Sequence, residues 1–139
     1  DLTDTTIRNA KGTALHNRGK AATSVTNVVI NSAGNYGAFV ESGSSLAGDG
    51  LEINNITKGI NGAEGIPIKN AGKITMLDHV TIGEDDPEVT GSAGEVNTTL
   101  ESIVNNAIVN DATTASYSGY DLVINNATDG CAFYNKGNL

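Results

Sequence analysis

The sequence predicts an all-β fold, a parallel β-solenoid of about six coils running through residues 1–139 as one unit. Three observations carry that reading: a composition of turn formers and β-branched residues, an apolar anchor that recurs every 20 to 29 residues, and an eight-residue strand-and-corner motif that recurs beside it. Gly and Asn each occur 17 times in 139 residues and only 4% are aromatic, which suits many short strands separated by tight corners.

The anchor is an apolar residue followed two places later by a small polar one. It appears as IRNA from Ile7, INSA from Ile30, INNI from Ile53, VNNA from Val104 and INNA from Ile124, with IGED at Ile82 as a degenerate member. The steps between anchors are 23, 23, 29, 22 and 20 residues. Val28, Leu51, Val80 and Leu122 stand two places before their anchors, which is the period-2 alternation of a strand. A repeat of this length made of short strands makes each repeat one coil, with the anchors stacked as an inward column. Helical repeats fail on period and on helix-former content. Leucine-rich repeats share the period but need a leucine consensus that the chain lacks.

Two residues past the anchors come Asn9, Ser32, Asn55, Glu84, Asn106 and Asn126. In register at a bend, Asn9, Ser32, Asn55, Asn106 and Asn126 form a structural ladder in which stacked amides bond to one another and to the turn backbone.

The second motif is GTALHNRG (12–19), YGAFVESG (36–43), GIPIKNAG (65–72) and GCAFYNKG (130–137). Aligned on their fourth position, these place Leu15, Phe39, Ile68 and Phe133 inward, and His16, Val40, Lys69 and Tyr134 outward. Two long excursions, 57–65 and 83–97, interrupt the pattern and are the expected contact surfaces, since solenoids carry variation in loops.

Charge excludes some partners. The net charge of −8 opposes nucleic acid, whose phosphates require Lys and Arg. Residues 1–73 hold seven basic and six acidic side chains; residues 74–139 hold one basic and ten acidic, so one end of the rod is strongly negative. No apolar run is long enough for a transmembrane helix, so membrane insertion of this segment is not expected.

The G-x-A-φ-x-N wording of GTALHN and GCAFYN, with φ a large apolar residue, resembles the short motifs of right-handed parallel β-helices of the pectin-lyase-like superfamily. It is most similar to the passengers of bacterial autotransporter adhesins and related surface proteins, the chlamydial polymorphic membrane proteins among them. The resemblance spans essentially the whole chain. It implies a right-handed coil and a non-catalytic structural or interaction segment of a secreted bacterial surface protein. It also implies extracellular display, with a cell-surface protein, a glycan or neighbouring copies at the solenoid ends as partners. The alternative within the same superfamily is a carbohydrate-active or glycan-binding β-helix.

Several stretches bear on chemistry. LDHVTI (77–82) resembles the Ile-Asp-His ending of a pectate lyase motif, which would put Asp78 near calcium or substrate with His79 beside it. The other lyase motifs and the arginine are missing, and the competing reading is a strand with Leu77 and Val80 inward and His79 solvated. GEDDPE (83–88) clusters Glu84, Asp85, Asp86 and Glu88, hard oxygen ligands suited to Ca²⁺, without the spacing of a known calcium loop. The reading the pattern favours is a solvated acidic loop. No other cofactor is suggested. Tyr117 and Tyr120 with Asp121 and Asp129 are the best aromatic and carboxylate group for a sugar. Cys131, the lone thiol, is expected to pack. The chain starts inside a strand pattern and stops where another should begin, so a longer solenoid, or head-to-tail stacking of copies, is expected.

Overall fold

The computed structural model describes residues 1–56, 65–83, 107–125 and 131–139. Over them the chain is an all-β parallel solenoid of about four turns. The strands are β1 (Leu2–Ala10), β2 (Leu15–Asn17), β3 (Ala22–Ala33), β4 (Tyr36–Val40), β5 (Ser45–Ile56), β6 (Ile66–Asn70), β7 (Lys73–Ile82), β8 (Ile108–Asn110), β9 (Ser116–Tyr117), β10 (Leu122–Ile124) and β11 (Phe133–Asn135). Each coil is a long strand followed by a short one. The long strands stack as β1-β3-β5-β7-β10, with β9 also on β7, and the short strands as β2-β4-β6-β8-β11.

The anchor column is real. Ile7 pairs with Ile30, Ile30 with Ile53, Ile53 with Ile82 and Ile82 with Ile124, all in parallel register. Ile30, Ile53 and Ile82 are fully buried, as are Val28, Leu51 and Val80 in the column two places earlier. Each such side chain contributes about 1.5–3 kcal/mol of transfer free energy, and the columns together make one continuous core. The coil count falls short of six because Ile124 pairs directly with Ile82. Val104, read as its own anchor, lies outside the described residues.

The short-strand motif corrects by one residue in its second copy. Leu15 pairs with Ala38, Ala38 with Ile68, Ile68 with Ile108 and Ile108 with Phe133. Ala38, not Phe39, is the inward residue. Phe39 faces out and stacks on His16, and Val40 moves from the outward row into the corner column. A fifth copy, Ala107-Ile108-Val109-Asn110, carries neither of the flanking glycines and occupies the same columns.

Two bends give the long strands their shape, and both are columns of left-handed backbone. Three residues before the anchors, Asp4, Asn27, Gly50, His79 and Asp121 have φ of 47°, 50°, 75°, 49° and 52°. Two residues after the first three anchors, Asn9, Ser32 and Asn55 have φ of 53°, 79° and 55°. Gly, Asn, Asp and His are the residues that tolerate this region best, which is why they recur at fixed offsets from an invariantly apolar anchor. Where β5 meets β7 the register slips by one between Leu46 and Gly48, and the extra residue of β7, Met76, turns out to solvent.

Candidate functional site

The bend column sets His79 and Asp121 on neighbouring coils, with Asp49, next to the column member Gly50, on the third. His79 stands on β7 with its Nδ1 2.5 Å from Asp49 Oδ1 on the coil above and its Nε2 3.2 Å from Asp121 Oδ2 on the coil below. Two carboxylate acceptors on two ring nitrogens require both to carry protons, so the imidazolium is the form that satisfies the site. The hydrogen bond to Asp49 accordingly raises the His79 pKa above its ordinary 6.5; desolvation opposes it, and the charges of Asp49, Asp121 and Asp78 add to it. Tyr120 meets the same ring edge-on at 5.4 Å.

Asp78 and His79, adjacent in sequence, serve different ends. Asp78 is buried, and its Oδ1 accepts the backbone N–H of Tyr120 at 3.0 Å, which ties the 118–121 segment to β7. Leu77 and Val80 face the core and His79 faces solvent. The structure thus brings Asp78 and His79 beside Tyr120 and Asp121, and adds Asp49, which nothing in the local sequence marked. A polar residue three places before the anchors Ile82 and Ile124 marks His79 and Asp121, whereas Asp49 stands four places before Ile53, next to the column member Gly50, and the spacing does not mark it.

Tyr117 parts from this group. It is buried in the core, edge-on to Phe133 at 5.2 Å, with its hydroxyl partnerless among the described residues and its pKa pushed up to about 12 by burial and then by the charge of Asp78. Asp129 lies outside the described residues, as do Glu84, Asp85, Asp86 and Glu88. Among the described residues no three His, Cys, Asp or Glu side chains converge on a point that would hold a metal. Asp49 and Asp121 approach opposite sides of the His79 ring, which makes a bridge between coils and not a cage. Cys131 is exposed, a correction to its expected packing: its carbonyl accepts the Ala107 N–H in the stack while the thiol side faces out.

The asparagine ladder with side-chain bonds is found at the end of the short strands. Asn17, Val40, Asn70, Asn110 and Asn135 form one column. Asn70 donates to Asn110 Oδ1 at 2.8 Å and Asn110 donates to Asn135 Oδ1 at 2.6 Å. Asn70 and Asn135 also accept the N–H groups of Gly72 and Gly137, each at 3.0 Å, closing two tight corners as Asx turns. Of the residues read as a ladder from the first motif, Asn9, Ser32 and Asn55 occupy the left-handed bend, and Asn55 donates to Asn31 at 3.0 Å. Asn106 and Asn126 lie outside the described residues.

A second surface runs up the outside of the short-strand sheet. Its row is His16, Phe39, Lys69 and Tyr134, with Val109, which is buried, in register between the last two. His16 stacks on Phe39 at 5.1 Å and Tyr36 tilts against Phe39 at 5.4 Å. Lys69 lies 5.3 Å above the Tyr36 ring, and Lys136 lies 5.4 Å above Tyr134. Glu41 holds His16 at 2.9 Å, and Asp111 is held by Lys136 at 2.9 Å and Lys69 at 3.6 Å, so its carboxyl titrates below the usual range. The result is a strip of rings and paired charges parallel to the stacking axis.

No family model matches the chain, and no curated protein or solved structure matches it.

Proposed function

We propose that the chain is a non-catalytic structural and interaction segment of a secreted bacterial surface protein, an adhesin-like β-helical stalk that meets its partner through the outside of the short-strand sheet. The observation that carries this reading is the strip from His16 to Tyr134. Its rings are held by stacking and by cation–π contacts, so they offer flat, preorganised apolar area with little entropy left to lose on binding. Its charges are already paired within the strip, which favours a partner recognised by shape and ring contact. Extracellular display, and end-to-end contact between copies, belong to the same reading.

The test is adsorption of the purified chain to immobilised extracellular proteins and glycans, compared with a variant carrying Tyr36→Ser, Phe39→Ser and Tyr134→Ser. Saturable binding that the variant loses, with an unchanged far-ultraviolet β spectrum, supports the proposal; binding equal in both sinks it. A β-barrel encoded downstream in the same reading frame would support the autotransporter placement.

A second reading, a carbohydrate-active β-helix, is favoured by one observation: Tyr120 and the Asp49–His79–Asp121 bridge lie together on an exposed bend. Product release from acidic or neutral polysaccharides, with and without Ca²⁺, that disappears in Asp78→Asn would establish it over the first.

A further inference from the structure

The corner between each short strand and the next long strand changes length from coil to coil, although the strands on both sides stay in register. Asn17 reaches Ala22 through residues 18–21, Val40 reaches Ser45 through 41–44, Asn70 reaches Lys73 through 71–72 alone, and Asn110 reaches Ser116 through 111–115. The wide corners close as turns, with Ser44 N–H bonded to Glu41 O at 3.0 Å and Ala115 N–H to Ala112 O at 2.9 Å. The tight one is the Asx turn of Asn70. A two-residue corner between wider neighbours is set back from the surface, and it leaves an open notch of about 470 Å³.

The chemistry of the notch follows from those three corners. Ser42, Ser44 and Ser45 line it from the coil above, Thr114 and Ser116 from the coil below, and Lys73 from the coil at its back. Among the described residues no carboxylate lines it. Glu41 and Asp111, which flank it, are taken by His16 and by the two lysines. Lys73 is exposed and takes part in none of the ion pairs among the described residues. Ser44 is 2% exposed, and its hydroxyl has no hydrogen-bond partner among the described residues. A buried hydroxyl left unpaired costs stability unless something completes it, and Ser44 is one of the residues that line the notch. The corner above brings Lys20 alongside, its Cγ against Gly43.

We propose that this notch binds a tetrahedral oxyanion, a sulfate or phosphate group, with Lys73 as the charge and Ser42, Ser44 and Thr114 as hydroxyl donors. Lysine with several hydroxyls matches a group that presents three or four acceptor oxygens around one centre. The chain's net charge of −8 disfavours anions in general, but at physiological salt it is screened over about 8 Å, so the local lysine and hydroxyls decide. The inference does not depend on the ring strip, which faces another side of the coil.

The experiment is a ¹⁵N–¹H NMR titration with sodium sulfate and with inorganic phosphate, against sodium chloride at equal ionic strength. The expected result is saturable shifts confined to Ser42–Ser45, Gly72, Lys73, Thr114 and Ser116. Lys73→Ala, an exposed position, should weaken binding about tenfold or more with amide dispersion retained, and Ser44→Ala by less. Shifts that do not saturate, that chloride reproduces, or that persist unchanged in Lys73→Ala overturn the proposal. Glucose 6-sulfate and glucose 6-phosphate separate the two sources: saturation by either supports the site and the tighter one names its class, whereas saturation by neither counts against it.

Discussion

The side-chain amide of Asn70 donates to the side-chain oxygen of Asn110 across one coil at 2.8 Å, although the two residues are 40 apart in sequence. Asn110 passes the contact on to Asn135 and to the carbonyl of Asn138, so three coils share one polar column, buried at Asn70 and Asn110 and exposed at its end. Replacing Asn110 by Ala takes the buried acceptor from the Asn70 amide and removes the bonds to Asn135 and Asn138, whose residues are exposed and can turn to water. The expected loss is about 1–3 kcal/mol in urea unfolding, most of it from the buried bond to Asn70. Asn9→Ala, at an exposed left-handed residue, should cost no more than about 1 kcal/mol. Equal costs for the two would mean that the corner column is not where polar satisfaction matters.

Gly72 belongs to the same corner for a steric reason. A Cβ there would fall 2.4 Å from both Glu41 O and Ser44 O, backbone atoms that cannot swing away. Gly72→Ala should therefore destabilise by about 2–3 kcal/mol. Gly12→Ala makes the contrast, because its Cβ would meet only the Asn35 amide at 3.7 Å. Thermal unfolding of the two variants gives the comparison, and a Gly72→Ala protein as stable as Gly12→Ala would show that the corner is looser than drawn.

His79 sets the pH behaviour. In the unfolded chain its imidazole titrates near 6.5, and in the folded chain the bond to Asp49 holds it higher. Its contribution is then complete below pH 6.5 and is lost as pH rises through the folded value. The imidazole resonances should show a midpoint above 6.5, and Asp49→Asn should bring it down. His79→Gln should remove the part of the Tm decline that begins near pH 6.5 in the wild type. A midpoint at or below 6.5 would rule out the two-carboxylate bridge in solution.

How far these features were readable in advance depends on whether a residue announces its column by itself. Ile7, Ile30, Ile53, Ile82 and Ile124 did, because an inward position under close packing keeps one residue type and its spacing then counts coils. Phe39 misled for the same reason: the more apolar of two neighbours was matched to the core, whereas the coil takes Ala38 inside and uses Phe39 to cover His16. Ala107-Ile108-Val109-Asn110 was hidden because its corner is wide and needs no glycine. The Asp49–His79–Asp121 bridge joins residues 30 and 42 places apart in sequence, and only the stacking register, which depends on every excursion between them, brings them together.

Tyr117 gives the sharpest separation of ring from hydroxyl. Its ring pairs along the same column as Thr23, Leu46 and Ile74, where the coil needs apolar volume, and it meets Phe133 edge-on at 5.2 Å. Its hydroxyl gains nothing in return: it is buried, lacks a partner among the described residues and lies near the charge of Asp78, which together with burial keeps it protonated up to about pH 12. A buried donor without an acceptor forfeits its hydration, so deleting the oxygen alone should help. Tyr117→Phe is expected to unfold at the same or higher urea concentration, by up to about 1 kcal/mol. Tyr117→Ala should cost about 3–5 kcal/mol, since it removes the ring and leaves a cavity against Phe133. A Tyr117→Phe protein less stable than the wild type by 1 kcal/mol or more would reveal a partner for the hydroxyl, and the 118–121 segment pinned by Asp78 would be the place to look for it.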